Sequence, residues 1–123
     1  MMRVFIERTR DRLIWSWNGV KDAWVHQPSF RSWGYAYGAT SVLAFALPLT
    51  MTERALVLSL GLLVLAFEAI NTAVEYTVDY ISTEHHELAG RAKDAGSAAV
   101  FLSAIAAGVA WILVLIAVGT RAL

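Results

Sequence analysis

The stretch that decides the fold is AGSAAVFLSAIAAGVAWILVLIAVGT, residues 95–120, which has no charged side chain between Asp94 and Arg121. A membrane-spanning helix needs about 20 consecutive apolar residues, and this segment is long enough. Small residues recur in it at helical spacing (Ala99, Ser103, Ala107), which lets helix backbones approach closely. A soluble all-α bundle is the alternative, but it leaves this uncharged run unexplained. We therefore expect a transmembrane helix over about residues 85–119.

The composition agrees with a membrane protein. Of the 123 residues 58% are hydrophobic and 16% charged, against about 45–50% apolar and about 25% charged in average soluble domains. The net charge of zero removes the electrostatic case for a nucleic-acid partner. Without cysteine the chain can form neither disulfides nor thiolate metal sites. The charges in MMRVFIERTRDR (1–12) leave no room for the apolar core of a signal peptide. We expect one membrane domain, residues 1–123.

Two further segments complete the predicted set of three spans. Residues 32–52 carry no formal charge and predict a span over about residues 32–49. The run Ala55–Phe67 is too short alone, and it crosses only if the helix continues past Glu68, which gives a span of about residues 53–81. We expect Thr52 to cap the start of this helix.

The distribution of basic residues predicts the orientation. Three spans place the N-terminus and the loop 82–94 on one side of the membrane. Only two basic residues, Arg54 and Arg121, lie on the other side. Because cytoplasmic loops carry the excess of Lys and Arg, we expect the N-terminus in the cytoplasm. The cytoplasmic set is Arg3, Arg8, Arg10, Arg12, Lys21, Arg31, Arg91 and Lys93.

Residues 4–26 predict an amphipathic helix that precedes the spans. Ile6, Leu13, Trp17, Val20 and Trp24 share one face, and charged residues occupy the others. Such a helix suits the headgroup plane of a membrane, where indoles and arginines are stabilised. Because proline cannot continue a helix, we expect it to end at Pro28, in HQPSF (26–30).

A polar stripe lies on the second span, in EAINTAVEYTVD (68–79). At about 100° per residue Glu68, Asn71, Glu75 and Asp79 fall within an arc of roughly 80°. Glu68 lies about 10 Å deeper than Glu75 along the helix. Carboxylates at membrane depth are costly and mark functional sites by default. A structural carboxylate that pairs with Asn71 or with a neighbouring subunit is the alternative.

The stripe and the following loop, STEHHELAGRAKD (82–94), together favour phosphoryl transfer to a lipid alcohol. The shallower Glu75 and Asp79, with Glu84, His86, Lys93 and Asp94 nearby, suit Mg²⁺ and a polyphosphate. The deeper Glu68 would receive a lipid hydroxyl from the membrane. We expect Ser82 or Thr83 to cap a helix that starts near Glu84. His85 and His86 lie on different helix faces, so they do not predict a metal pair.

The pattern E-x-x-N-x-x-x-E-x-x-x-D, followed by HELAGRAKDAGSAAV (86–100), resembles the small bacterial integral-membrane diacylglycerol kinases. The resemblance extends to SWNGVKDAW (16–24) and to FR (30–31), and thus covers nearly the whole chain. It implies an all-α homotrimer of three-span subunits in the bacterial inner membrane, each with a surface helix. It also implies active sites shared between subunits, and the use of MgATP to convert diacylglycerol into phosphatidic acid.

The resemblance also implies roles for individual residues. Glu68 would be the base for the lipid hydroxyl, and Glu75 would hold Mg²⁺ with support from Asn71. The lipid side would include Trp24, Arg31 and Ser97, with Arg8 close to both substrates. Nucleotide contacts would come from Arg8, Trp15, Glu84, His85, His86, Lys93 and Asp94.

Two departures from the family pattern affect these expectations. Gln27 stands in WVHQ (24–27) where the family has a second metal-binding Glu, so we expect weaker metal binding at the Glu75–Gln27 site. Trp33 stands where related members have an acid. A sibling branch that phosphorylates undecaprenol shares the core motif and is the closest alternative. A non-catalytic relative and a cation-conducting oligomer are further alternatives, although ALVLSLGLLVLAF (55–67) is too apolar to line a pore.

Overall fold

A computed structural model describes all 123 residues as four helices without a β-strand. The helices are α1 (Met2–His26), α2 (Pro28–Ala46), α3 (Met51–Ile81) and α4 (Glu87–Arg121). The predicted all-α fold class is confirmed, and α1 includes the whole of the expected N-terminal helix. The homotrimeric arrangement stays a prediction.

Two helices, α3 and α4, are long and apolar enough to cross a membrane. At 1.5 Å per residue they measure about 46 and 52 Å, more than the roughly 30 Å of a hydrocarbon core. A helix of either length is long enough to cross such a layer and to extend beyond it. The 19-residue α2 is not among the helices apolar enough to span, so the first of the three predicted spans stays a prediction.

The junction between α1 and α2 is a single extended residue, Gln27. Pro28 occupies the first turn of α2, where the missing N–H costs nothing. The last carbonyls of a helix have no partner within it. Here Arg31 Nη1 donates to the carbonyls of Trp24 (2.8 Å) and Val25 (2.9 Å). Helix α2 thus begins at residue 28, because proline starts it, four residues before the expected start of the first span.

The start of α3 differs from the expected one by two residues. Thr50, and not Thr52, is the N-cap: its hydroxyl accepts from Glu53 N (3.2 Å), while Glu53 Oε2 accepts from Thr50 N (2.8 Å). Glu53 also pairs with Arg121, with Nη1–Oε1 at 2.7 Å and Nη2–Oε2 at 2.9 Å. The capping box therefore also ties the start of α3 to the end of α4.

At the opposite end, α4 begins three residues later than expected. His86, and not Ser82 or Thr83, is the N-cap, and its Nδ1 accepts from Leu88 N (3.1 Å). Ser82 instead closes a local turn by accepting from Glu84 N (3.1 Å). Polar side chains of the loop 82–86 thus accept hydrogen bonds from backbone N–H groups nearby in sequence, as short polar residues in turns do.

One chain buries little of its apolar surface. Only 12 of the 123 residues are buried, and the accessible surface is 9048 Å². A compact soluble protein of 13.5 kDa exposes roughly 6,500 Å². The largest buried cluster lies between α2, α3 and α4 near the capped start of α3 (Ala44, Leu49, Val57, Ala110 and Val114). The remaining apolar surface needs lipid or other subunits to cover it.

Candidate functional site

The polar stripe of α3 opens into a cleft of about 390 Å³ between α2, α3 and α4. Three of the four stripe residues line it, so the arc predicted from helical spacing is real. Because the three helices contribute polar and aromatic side chains to the same space, the cleft is mixed in character, as ligand sites usually are. Its lining is Ser29, Trp33, Glu68, Asn71, Glu75, Ser97, Val100 and Phe101.

Glu68 is the deepest acid of the cleft. It is only 4% exposed, and its Oε1 accepts a hydrogen bond from the hydroxyl of Ser29 in the first turn of α2. Its Oε2 receives no hydrogen bond from the protein. A carboxylate held at one oxygen and free at the other can accept a proton from a hydroxyl group that enters the cleft.

Asn71 connects the two acids of the cleft. Its Nδ2 donates to Glu75 Oε1 (3.1 Å), which orients the shallower carboxylate. Its Oδ1 is buried and has no hydrogen-bond partner. That oxygen lies against Gly96 of α4 so closely that a Cβ at position 96 would collide with it. The absence of a side chain at Gly96 is therefore what lets Asn71 fit between α3 and α4.

A second, polar pocket of about 200 Å³ lies at the loop between α3 and α4. Lys93 is paired there with Asp79, with Nζ 2.6 Å from Oδ1, so the fourth stripe residue belongs to this pocket. Glu84, His85 and His86 also line it, as the sequence grouping predicted. Asp94, predicted beside them, is exposed and lines neither pocket.

Gln27 lies beside the cleft and not in its lining. Its Nε2 donates to the hydroxyl of Tyr76 (3.2 Å), the residue after Glu75, and that hydroxyl donates to Asp22 Oδ2 (3.0 Å). The end of α1, the junction and α3 meet at these three side chains. Gln27 is therefore bonded to the neighbour of Glu75 in α3, although no hydrogen bond joins Gln27 to Glu75 itself.

The four remaining predicted residues lie outside the cleft in this chain. Arg8 and Trp15 are exposed on α1 and line no pocket described above. Trp24 packs over Gly34 and meets Tyr35 edge-on, with ring centroids 5.4 Å apart. Arg31 caps the carbonyls at the end of α1. The contacts of Trp24 and Arg31 join α1 to α2.

Sequence reasoning missed several residues of the site. Ser29 and Gly96 lie on other helices than Glu68 and Asn71, so no spacing within one segment could pair them. Tyr76 and Asp22 are 54 positions apart and carry no shared motif. Trp33 was noted only as a departure from the family pattern, but it lines the cleft together with Glu68.

The donor set fits the magnesium ion that the family resemblance implies. Magnesium prefers a few carboxylate or carbonyl oxygens, with phosphate oxygens and waters completing the shell. The Glu75 carboxylate, the Gln27 amide oxygen and the orphan Asn71 Oδ1 are all oxygens of this kind. No group of three or more acids or histidines converges in one chain, so oxygens from the nucleotide would have to complete the shell.

Comparison with known proteins gives a consistent result. A family model described as prokaryotic diacylglycerol kinase matches residues 14–115. A protein named diacylglycerol kinase from Escherichia coli K12 is 42% identical over 101 residues, which cover 82% of this chain and 83% of that protein. Its namesake from Haemophilus influenzae is 43% identical, covering 79% and 82%. The Helicobacter pylori protein of that name is 36% identical, covering 76% and 73%.

The chain therefore belongs to the prokaryotic diacylglycerol kinase family. The predicted resemblance is confirmed, and with it the prediction that the chain is a kinase, whose reaction depends on a nucleotide. Two apolar helices and bacterial relatives together indicate a protein of the inner membrane.

Proposed function

We propose that this kinase transfers the γ-phosphate of ATP to the free hydroxyl of diacylglycerol and so forms phosphatidic acid. The observation that supports it most is the position of Glu68, a buried acid in a cleft at the depth of the membrane. Glu68 lies about 26 Å along α3 from Met51, the outer end of this helix. In a hydrocarbon core roughly 30 Å thick that begins near Met51, Glu68 lies in the cytoplasmic half. A lipid alcohol is the hydroxyl substrate available at that depth.

In the proposed reaction Glu68 is the general base. The lipid hydroxyl meets the free Oε2 of Glu68, while Ser29 holds Oε1. As the lipid oxygen forms its bond to the γ-phosphorus, the hydroxyl proton passes to Glu68. The bond between the γ-phosphorus and the bridging oxygen breaks, and ADP leaves with that electron pair. Such proton transfer contributes typically 100- to 10,000-fold to rate.

Glu75 and Gln27 would hold Mg²⁺ on the nucleotide phosphates, and Asn71 keeps the Glu75 carboxylate in place by its hydrogen bond. The ion, when bound, offsets negative charge on the phosphates. Because Gln27 contributes no charge, we expect a higher magnesium requirement than an acid at position 27 would give.

The nucleotide would occupy the loop pocket, where Lys93, Glu84, His85 and His86 line the space. Asp94, Arg8 and Trp15 would complete that site, and Arg8 would also approach the lipid. On the lipid side we place Trp24, Arg31 and Ser97, of which Ser97 shares the cleft with Glu68.

Because Arg8 and Trp15 lie on the exposed α1, we propose that they complete the site of a neighbouring subunit. The assembly would then be a homotrimer with shared active sites, whose subunits each cross the inner membrane three times. The bias of basic residues supports a cytoplasmic N-terminus, on the side where ATP is present.

The test is a transfer assay with purified protein in mixed micelles, using MgATP labelled at the γ-phosphate. Diacylglycerol and undecaprenol are offered side by side at the same mole fraction. We expect the label to appear in phosphatidic acid at the higher rate. A faster reaction with undecaprenol would assign the chain to the polyprenol branch, and no transfer to either lipid would identify a non-catalytic relative.

A further inference from the structure

We propose that Asp22 and Tyr76 are positioning residues that hold the side-chain amide of Gln27 with its oxygen free to bind a cation. The inference deepens the proposed function, because it rests on Gln27 as a metal-binding position. It explains how an amide at position 27 presents its oxygen to the ion.

Two hydrogen bonds connect Gln27 to Asp22 through Tyr76. Gln27 Nε2 lies 3.2 Å from the Tyr76 hydroxyl, and that hydroxyl lies 3.0 Å from Asp22 Oδ2. The other oxygen of Asp22 lies 3.0 Å from His26 Nδ1. Each oxygen of the Asp22 carboxylate therefore has its own partner, and Tyr76 stands between the carboxylate and the amide.

Donor and acceptor chemistry fixes which way the amide points. An ionised carboxylate only accepts hydrogen bonds, so the one hydroxyl proton of Tyr76 must go to Asp22. The Tyr76 oxygen can then only accept from Gln27. The amide must turn its NH₂ group towards Tyr76, since its oxygen would find no proton there. Although the two ends of an amide have nearly the same shape, this network distinguishes them and leaves Oε1 unpaired.

The orientation matters because an amide, unlike a carboxylate, has only one end that binds a cation. A glutamate at position 27 would present an oxygen whichever way it turned. A glutamine that turned the wrong way would present two N–H donors and repel the ion. A ligand position occupied by Gln27 therefore needs an orienting partner that a carboxylate there would not need.

A purely structural role for Tyr76 is the competing explanation, since the same bonds tie the end of α1 to α3. The two explanations differ in one respect. A structural tether from Tyr76 to Asp22 does not involve position 27, so it is worth the same whichever residue stands there. An orienting bond matters only when that residue is an amide.

The test is a double-mutant cycle of Tyr76→Phe and Gln27→Glu, which measures the magnesium concentration for half-maximal transfer and the kcat at saturating magnesium. In the native background we expect Tyr76→Phe to raise the magnesium requirement about 2- to 10-fold, the effect of one hydrogen bond, with kcat retained. In the Gln27→Glu background we expect no rise. Equal rises in both backgrounds, or none in either, would overturn the inference.

Tyr80→Phe is the matched control, because Tyr80 lies one turn further along α3, is 91% exposed and makes no hydrogen bond through its hydroxyl. It should leave the magnesium requirement unchanged in both backgrounds. A rise with Tyr80→Phe as large as that with Tyr76→Phe would contradict a specific role for the Tyr76 hydroxyl.

A second measurement does not depend on turnover. In protein labelled with ¹⁵N at glutamine side chains, the Gln27 amide signal is assigned by its loss in Gln27→Glu. We expect Tyr76→Phe and Asp22→Ala both to shift it and to speed its hydrogen exchange. An unchanged signal would refute the network itself. If the signal responds but Gln27→Glu leaves the magnesium requirement unchanged, the metal-binding role of Gln27 is wrong, and the positioning role fails with it.

Discussion

At Glu68, Asn71 and Glu75 the chain places three polar side chains on a helix that is apolar enough to cross a membrane. Each has a specific contact: Ser29 holds Glu68, Asn71 orients Glu75, and Gly96 makes room for Asn71. The stripe itself was predictable, because helical spacing puts the three on one face whatever the tertiary fold. Their partners were not, since Ser29 and Gly96 come from other helices and only packing brings them together.

At this residue scale the sharpest prediction concerns Gly96. In Gly96→Ala the new methyl group would displace Asn71, so the hydrogen bond that orients Glu75 would be lost. We expect transfer to fall at least about tenfold, the cost of roughly one misplaced hydrogen bond to a charged group, while the helical content by circular dichroism stays unchanged.

Gly119→Ala is the control for this variant, because Gly119 lies on the same helix and a Cβ there meets nothing within 4 Å. It should retain activity. Full activity in Gly96→Ala would mean that the cleft does not depend on the placement of Asn71.

The helices show why boundaries are harder to predict than the helices themselves. Their existence and rough extent followed from hydrophobic runs and from Pro28. Their starts did not, because several residues near each start could serve as caps. Thr50 caps α3 where Thr52 was expected, since Thr50 is the residue placed three before Glu53 and completes a capping box. At the start of α4 the expected cap Ser82 accepts from Glu84 N in a turn, and His86 caps the helix instead.

At the element scale the two threonines form a matched pair. We expect Thr50→Ala to lower the free energy of unfolding in micelles by about 1 kcal/mol, the usual cost of losing an N-cap. Thr52→Ala should change it by less than about 0.5 kcal/mol, as surface substitutions usually do. Denaturation followed by circular dichroism in one detergent measures both. A larger loss with Thr52→Ala would support the position expected from sequence.

The whole molecule exposes more surface than a compact soluble protein of its mass would. Its large exposed apolar surface agrees with a membrane protein, and the absence of Arg8 and Trp15 from the cleft is one basis for the proposed homotrimer. The sequence predicted a membrane protein from its composition and from its long uncharged runs. It could not predict which residues one chain brings together, because the spacing of α1 from the cleft depends on the tether at Gln27, Tyr76 and Asp22.

The central claim is that Glu68 takes the proton of a lipid hydroxyl, and transfer by Glu68→Gln tests it most directly. The amide keeps the shape and can still accept from Ser29, but it is not a base. With γ-labelled ATP and diacylglycerol we expect transfer to fall about 100- to 10,000-fold, with nucleotide affinity retained. Glu7→Gln, at an exposed acid on α1, should transfer normally. Ordinary turnover by Glu68→Gln would contradict the assignment of Glu68 as the general base.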